Sequence, residues 1–427
     1  MAARKKLRWL RLDNAAKIYP AARNQNWSNV FRMSATMSEA VDTAVLQSAL
    51  DVTVRRFPSI AARLRRGVFW YFLQQLESAP EIREEYCHPL TKMSRDEVRK
   101  CALRVIVYQN RIAVEMFHSL TDGNGALIFL KSLLAEYVQQ RYHIAVANGD
   151  GILDRREEPR EEELEDSFLK YAGTVNASRK ETDAWFPNGT QDPDGYLDLT
   201  CFVLEASQVL EKAHAHKVSV TTFLTAAVMA ALQEVQKAQV PDRRRRKALK
   251  ILVPVDLRRI YPSSSLRNFA LYSTPEIDPR LGEYSFPEIC RVIHHHIGLD
   301  LDPKRMSTKI AVNVSSERML IVKLMPLPVK DLIMKAVFNA VGERKSCLSL
   351  SNLGRVELPE EMSAYIERMD FILGTQATRP HNCGVLTYGG KVYVNFIRDI
   401  LEPDLEAAFF RVLRDMGIGA EVQSNRR

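Results

Sequence analysis

The sequence has no apolar run long enough to cross a membrane. Its longest apolar stretch, Phe223 to Leu232, is interrupted by Thr225 and is far shorter than the roughly 20 residues that a transmembrane helix needs. A secretory signal is also missing, because no apolar segment follows the basic residues near the N-terminus, which are Arg4, Lys5, Lys6 and Arg8. We therefore predict a cytoplasmic protein without a membrane span.

Cysteines are few and scattered. The six cysteines form no CxxC pair and no regular spacing, so the sequence predicts neither a disulfide framework nor a zinc motif. We interpret the cysteines as reduced thiols of a cytosolic protein. The run from His294 to His296 raises a metal site as an alternative. However, successive helix residues point about 100° apart and cannot converge on one ion. We therefore predict no metal site and interpret these three histidines as residues on the surface of a helix.

A strong charge imbalance is absent as well. The chain has 60 Lys and Arg against 52 Asp and Glu, which gives a formal net charge of +8 over 427 residues. No basic helix carries interleaved aromatic residues, so nucleic acid is not a predicted partner. A modest positive excess does fit a protein that handles an anionic small molecule.

The length and the hydrophobic content predict two domains. At 427 residues, 46% of them hydrophobic, the chain exceeds the size at which one core usually stops growing. A charged stretch from Asn148 to Asp166 reads as a surface linker. Strand-like and helical runs alternate on both sides of it, so we predict an α/β fold, an α+β sandwich in each of two similar domains at residues 1–175 and 176–427.

One short string carries candidate chemistry. The alternating run Arg111 to Phe117 predicts a strand, His118 follows it, and Asp122-Gly123 leads into a predicted helix from about Ala126 to Tyr142. A neutral imidazole fixed at a strand end suits general base catalysis because its pKa lies near neutral pH. Asp122 would orient the loop through an ion pair, and Gly123 permits a backbone geometry that a Cβ would obstruct. The spacing alone leaves open that His118 is an ordinary half-buried strand residue.

The string His118-Ser-Leu-Thr-Asp122-Gly123 resembles the HxxxDG signature of the chloramphenicol-acetyltransferase-like superfamily of acyltransferases and condensation domains. Four further stretches resemble superfamily motifs and follow in the same order along the chain: Leu46–Asp51 with Arg56-Phe57-Pro58-Ser59-Ile60 and Arg63-Leu64; Val218–Leu224; Val253–Arg259 with Arg267-Asn268-Phe269; and Leu350-Ser351-Asn352-Leu353-Gly354. The Asp-Phe-Gly-Trp-Gly string of the plant branch is absent. The resemblance therefore favours the bacterial alcohol acetyltransferase and polyketide-associated branches.

The resemblance implies a fold, a site and a reaction. Two domains would enclose a tunnel at their interface, and His118 would act there as general base in moving an acyl group from a thioester to an alcohol or amine. Asp122 would pair with Arg258 and support the loop. Acyl coenzyme A is the expected co-substrate, with no permanently bound cofactor, and an acyl carrier protein is the alternative donor partner. Candidate donors to the oxyanion are Ser351 and Asn352, or nearby backbone N–H groups. The alternative is that these two side chains only make hydrogen bonds at the end of a strand.

Two alternatives stay open at this point. The chain could be a condensation enzyme of a peptide or lipopeptide pathway that depends on a carrier protein, or a catalytically silent member of the fold that binds a ligand. The run Arg243 to Lys247 could grip coenzyme A phosphates or be a solvated loop. The identity of the acceptor depends on loops that no motif reports.

Overall fold

The structure is a computed structural model that describes residues 8–22, 29–172, 183–318, 320–337, 345–376 and 379–426. In the first half of the chain, the predicted strand from Arg111 to Phe117 is present, and a helix covers the predicted span that ends at Tyr142. The strands are β1 (Trp9–Arg11), β2 (Val30–Met37), β3 (Ala62–Arg66), β4 (Tyr71–Gln75), β5 (Arg83–Glu84), β6 (Leu103–Tyr108) and β7 (Arg111–Phe117). The helices are α1 (Ile18–Ala22), α2 (Thr43–Arg56), α3 (Arg95–Lys100), α4 (Gly123–Tyr142) and α5 (Ser167–Lys170).

The second half contains longer strands and most of the helices. Its strands are β8 (Asp198–Glu205), β9 (Leu249–Asp256), β10 (Ala270–Ser273), β11 (Glu276–Ile277), β12 (Leu348–Arg355), β13 (Ile366–Leu373), β14 (His381–Tyr388), β15 (Lys391–Arg398) and β16 (Ala420–Ser424). Its helices are α6 (Ala206–Ala215), α7 (Val220–Gln239), α8 (Phe286–Asp300), α9 (Pro303–Arg318), α10 (Leu320–Leu324), α11 (Leu327–Val337), α12 (Glu360–Ser363) and α13 (Asp404–Asp415).

Three sheets organise these strands. A small sheet has the order β1-β4-β3, a five-stranded sheet has the order β13-β2-β7-β6-β5, and an eight-stranded sheet runs β10-β9-β12-β14-β15-β8-β16 with β11 beside β9. A hairpin turn at Gly389-Gly390 joins β14 and β15, and both glycines have the positive φ that this tight turn requires. In the same sheet, β12 is parallel to both of its neighbours.

One strand crosses between the two halves. β13 lies late in the chain, yet it pairs with β2 in the sheet of the first half. It closes an edge of β2 that would otherwise leave backbone N–H and C=O groups unpaired. Next to it, a Cβ on Gly384 would lie 2.2 Å from Phe371 O, so β14 and β13 approach very closely. A strand from late in the chain thus completes the sheet of the first half. The predicted domain boundary at residue 175 lies outside the described residues and stays a prediction.

The described residues contain two large hydrophobic cores, one centred on the five-stranded sheet and one on the eight-stranded sheet. The first packs α2 and α4 against the five-stranded sheet and continues into β14 and β15 of the eight-stranded sheet. The second packs α7, α8 and α13 against the eight-stranded sheet. Across the described residues, no single helix is both long and apolar enough to cross a bilayer. The helices α6 and α7 satisfy such a test only as a pair, bent by 85° at their junction.

Candidate active site

The sheet of the first half presents His118 at the end of a central strand. His118 follows β7 directly, and its backbone N–H donates to Asn29 O at 2.8 Å. The neighbours Phe117 and Ser119 are fully buried, whereas His118 retains accessible surface. His118 is therefore only partly buried. A tunnel that reaches it from both sides stays a prediction.

Two aromatic rings hold the imidazole in place. Tyr19, from the short helix α1, stacks on it with ring centroids 4.4 Å apart and an interplanar angle of 18°. Phe31, on β2, lies 5.0 Å away and is tilted by 60°. Burial lowers the pKa of His118 from its ordinary value of 6.5, and the hydrogen bond to its own backbone and the nearby charge of Asp122 oppose that shift only in part. The neutral, basic form of His118 is therefore favoured at neutral pH.

A second-half asparagine contacts His118 twice. The ring nitrogen Nδ1 lies 3.0 Å from Asn268 Oδ1, and Asn268 Nδ2 donates to His118 O at 3.1 Å. The same Nδ2 donates to Asp13 Oδ2 at 3.2 Å. Asn268 belongs to the string Arg267-Asn268-Phe269 that supports the family resemblance, but the sequence analysis gave it no role. No sequence motif surrounds Asp13, so the sequence does not predict a role for it.

Asp122 joins the loop after His118 to the second half. Its Oδ1 accepts from Gly125 N at 3.1 Å, which caps the N-terminus of α4 and explains why this helix starts at Gly123, three residues earlier than predicted. Its Oδ2 accepts from Phe269 N at 2.8 Å and from Arg258 Nη1 at 2.8 Å. The pairing with Arg258 that the resemblance implied is thus found. Both side chains are nearly inaccessible to solvent.

Arg258 and the loop are held in several ways at once. Arg258 also donates to Asp256 Oδ1 at 2.9 Å and to Ser265 O at 2.9 Å. In the loop itself, Thr121 Oγ1 donates to Leu266 O at 2.6 Å. The segment of residues 265–269 therefore lies along the whole loop that connects His118 to α4. Site geometry in the first half depends on this segment of the second half.

Of the two glycines that open α4, the second has the tighter surroundings. A Cβ on Gly125 would lie 2.2 Å from Thr121 Oγ1 and 2.3 Å from Leu266 O, which is backbone that cannot easily move. A Cβ on Gly123 would meet only the end of the Leu353 side chain, at 2.7 Å, and Gly123 has no left-handed backbone conformation. The close approach attributed to Gly123 from sequence therefore falls mainly on Gly125.

The predicted oxyanion candidates lie on β12, and Leu353 brings this strand against the loop at Gly123. Asn352 Nδ2 donates to Thr221 Oγ1 at 3.0 Å, and its Oδ1 accepts from Gly354 N at 2.8 Å. An amide nitrogen has two hydrogens, so one N–H of Asn352 is left over by these contacts. Ser351 is half-buried, in parallel register with Gly384. The role of both residues in stabilising an oxyanion stays a prediction.

Other predicted candidates lie away from His118. His294 and His295 are exposed on α8, and His296 lies 3.6 Å from Asp300 one turn later. No group of three or more His, Cys, Asp or Glu side chains within the described ranges is arranged to hold a metal ion. In the basic run, Arg243, Arg244, Arg245 and Lys247 are exposed, whereas Arg246 is buried against backbone carbonyls.

Comparison with known proteins places this geometry in a known fold. No protein-family model matches the sequence, and no curated protein matches it. Among solved structures, the TRI3 trichothecene 15-O-acetyltransferase from Fusarium sporotrichioides is similar at a TM-score of 0.61 with 11% identity, over 97% of this chain and 96% of that one. The polyketide synthase associated protein 5 from Mycobacterium tuberculosis is similar at 0.58 with 14% identity, over 97% and 99%.

A third structure extends the comparison to peptide synthesis. The first condensation domain of the CDA synthetase is similar at a TM-score of 0.57 with 14% identity, over 97% of this chain and 96% of that one. The chain therefore has the mixed α/β, two-domain fold of these solved structures along nearly its full length. The structures that share this fold include both an acetyltransferase and a condensation domain.

Proposed function

We propose that the protein transfers an acyl group from a thioester to an alcohol or amine, with His118 as the general base. The observation that carries this proposal is the geometry of the imidazole. It stands at a strand end on a residue that is only partly buried, the rings of Tyr19 and Phe31 contact it, and its Nδ1 lies against Asn268 Oδ1. The nitrogen that remains for an acceptor is Nε2.

The proposed reaction needs no covalent enzyme intermediate. Nε2 of His118 takes the proton from the acceptor as its oxygen or nitrogen attacks the thioester carbonyl carbon. The tetrahedral intermediate carries a negative oxygen, for which Asn352, Ser351 or a nearby backbone N–H is the proposed donor. Collapse of the intermediate breaks the C–S bond, and the departing thiolate receives the proton from the imidazolium. The products are an ester or amide and a free thiol.

We propose acyl coenzyme A as the donor, and a cytoplasmic location in keeping with the six free thiols. The likeness to a condensation domain supports a second candidate, in which the acyl group arrives on a separate carrier protein. The test is thiol release from acetyl coenzyme A in the presence of mixed alcohols and amines, set beside the same assay with an acylated carrier protein. Turnover with the free thioester supports the first candidate, and turnover only with the carrier supports the second. No acceptor-dependent thiol release with either donor would contradict both.

The pH dependence of the reaction should reflect the lowered pKa of His118. A general base works in its unprotonated form, so the rate is lost as the pH falls through the pKa of that group. Because burial lowers this pKa below 6.5, the acid limb of kcat/KM against pH should have its midpoint below 6.5. The measurement is kcat/KM over about pH 5 to 8, the window in which histidine titrates. An acid limb centred above 6.5 would contradict the role given to His118.

A further inference from the structure

Asp13 is a carboxylate with no accessible surface, close to the candidate site. A buried carboxylate is costly unless hydrogen bonds and charge compensate it. Its Oδ1 accepts from Ala16 N at 2.7 Å, and its Oδ2 accepts from the backbone N–H of Asn268 at 3.3 Å and from Asn268 Nδ2 at 3.2 Å. Arg267 Nη2 lies 3.6 Å from the same Oδ2. Two of these four contacts are made with the residue that touches His118.

The contacts of Asn268 determine which way its amide points. The oxygen and nitrogen of an amide are similar in size, so their partners set the orientation. Asn268 Nδ2 faces the His118 carbonyl oxygen, which can only accept, and Asp13 Oδ2, to which the backbone N–H of Asn268 also donates. Oδ1 must then turn toward His118 Nδ1. An amide oxygen cannot donate, so in the neutral ring Nδ1 carries the proton and Nε2 carries the lone pair.

We propose that Asp13 is a positioning residue of this site: through the amide of Asn268 it holds His118 in the tautomer whose Nε2 is free to accept a proton. Its effect on rate rests on the proposed function, whereas its effect on the imidazole does not. The segment around Asp13 is joined to the catalytic loop in other ways too. Ser119 Oγ donates to Ala16 O at 3.2 Å, and Tyr19 stacks on the ring. This N-terminal segment therefore forms part of the site.

The test variant is Asp13→Asn, which keeps the shape of the side chain and replaces one acceptor with a donor. The new amide must direct its NH₂ toward either Ala16 N–H or Asn268 Nδ2. In the second arrangement Asn268 loses its acceptor on residue 13 and reverses at the expense of its bond to the His118 carbonyl oxygen, and its Nδ2 then favours the tautomer of His118 that is protonated on Nε2. The readout is nitrogen NMR of isotopically labelled histidine in the full chain. The signals of His118 among the nine histidines are identified by their loss in His118→Ala.

We expect the wild-type protein to show His118 with its proton on Nδ1, and Asp13→Asn to show a substantial population protonated on Nε2. The matched control is Asn14→Ala, next to Asp13, which removes a 3.3 Å hydrogen bond from Asn14 Nδ2 to Asn313 O. It should retain the wild-type tautomer. If Asp13→Asn does not fold, Asn268→Ala gives the same readout, because it removes one of the two acceptors of the ring N–H and leaves only the backbone carbonyl of His118 itself. A wild-type ring protonated on Nε2, or a variant with an unchanged tautomer, would overturn the proposal.

Kinetics then separate this proposal from the proposed function. In Asp13→Asn, kcat should fall by about tenfold to a hundredfold, since misorientation of a catalytic group costs up to about 10²-fold. KM for the thioester should change little, because the Asp13 side chain has no accessible surface and cannot contact the thioester. If no thioester is turned over by the wild-type protein, the proposed function fails while the NMR result still decides the role of Asp13. A tautomer change with unaltered kcat would refute the positioning role.

Discussion

Replacement of His118 with alanine should reduce kcat for acyl transfer by about 10²- to 10⁴-fold, the range that a positioned general base contributes. The variant keeps the loop bonds made by Asp122 and Thr121, so the fold of the site should persist. KM for the thioester should stay near its wild-type value, because the imidazole acts on the acceptor proton. The measurement is steady-state thiol release at saturating acceptor.

The control for this result is His294→Ala. His294 is an exposed histidine on α8, so its loss removes an imidazole without touching the candidate site. This variant should retain wild-type kcat and the wild-type unfolding midpoint. If His118→Ala kept kcat within about twofold of wild type, far less than a general base is worth, the proposed role of His118 would be abandoned.

The local structure around His118 was predictable because residues that are adjacent in the sequence determine each of its features. The alternation from Arg111 to Phe117 defines β7, and the Gly123-Asn124-Gly125 string marks the turn into α4. The pair of Asp122 with Arg258 followed from the superfamily resemblance and not from local pattern, since the two residues are far apart in the chain. The fold class followed from the same resemblance together with the alternating elements.

The remainder of the site depends on contacts that no local pattern encodes. Asp13 reaches Asn268 across 255 residues of sequence, and a lone aspartate between Leu12 and Asn14 has no periodic or motif context. The pairing of β13 with β2 is equally hidden, because alternation shows that a segment is a strand but does not name its partner. For the same reason, the parallel pairing of β12 could not be read from its composition.

The contacts of Asp122 explain why the second half of the chain is needed for a site built on the first. Asp122 caps α4, accepts a hydrogen bond from the Phe269 N–H and forms an ion pair with Arg258. One carboxylate therefore joins three separate parts of the chain. Behind it, Asn268 contacts His118 from the same second-half segment. The position of the imidazole is therefore set from both halves, and loss of Asp122 should affect stability as well as catalysis.

Asp122→Ala should destabilise the fold by roughly 3–5 kcal/mol, the cost of removing one partner from a buried ion pair. The matched control is Asp42→Ala. Asp42 also caps a long helix, α2, by accepting from Ala44 N at 3.0 Å and Val45 N at 3.1 Å, but it is only half-buried. Loss of such a helix cap alone costs about 1 kcal/mol.

The difference between the two variants isolates the bonds that Asp122 makes to the second half. Urea unfolding monitored by circular dichroism gives both free energies, provided that the slope of the transition is the same in each variant. Because Arg258 keeps Asp256 as a partner at 2.9 Å, the penalty for Asp122→Ala should lie toward the lower part of its range. If Asp122→Ala were no more destabilising than Asp42→Ala, the buried pair would add nothing beyond a helix cap. The loop that presents His118 would then have to be held by Thr121 and Asn268 instead.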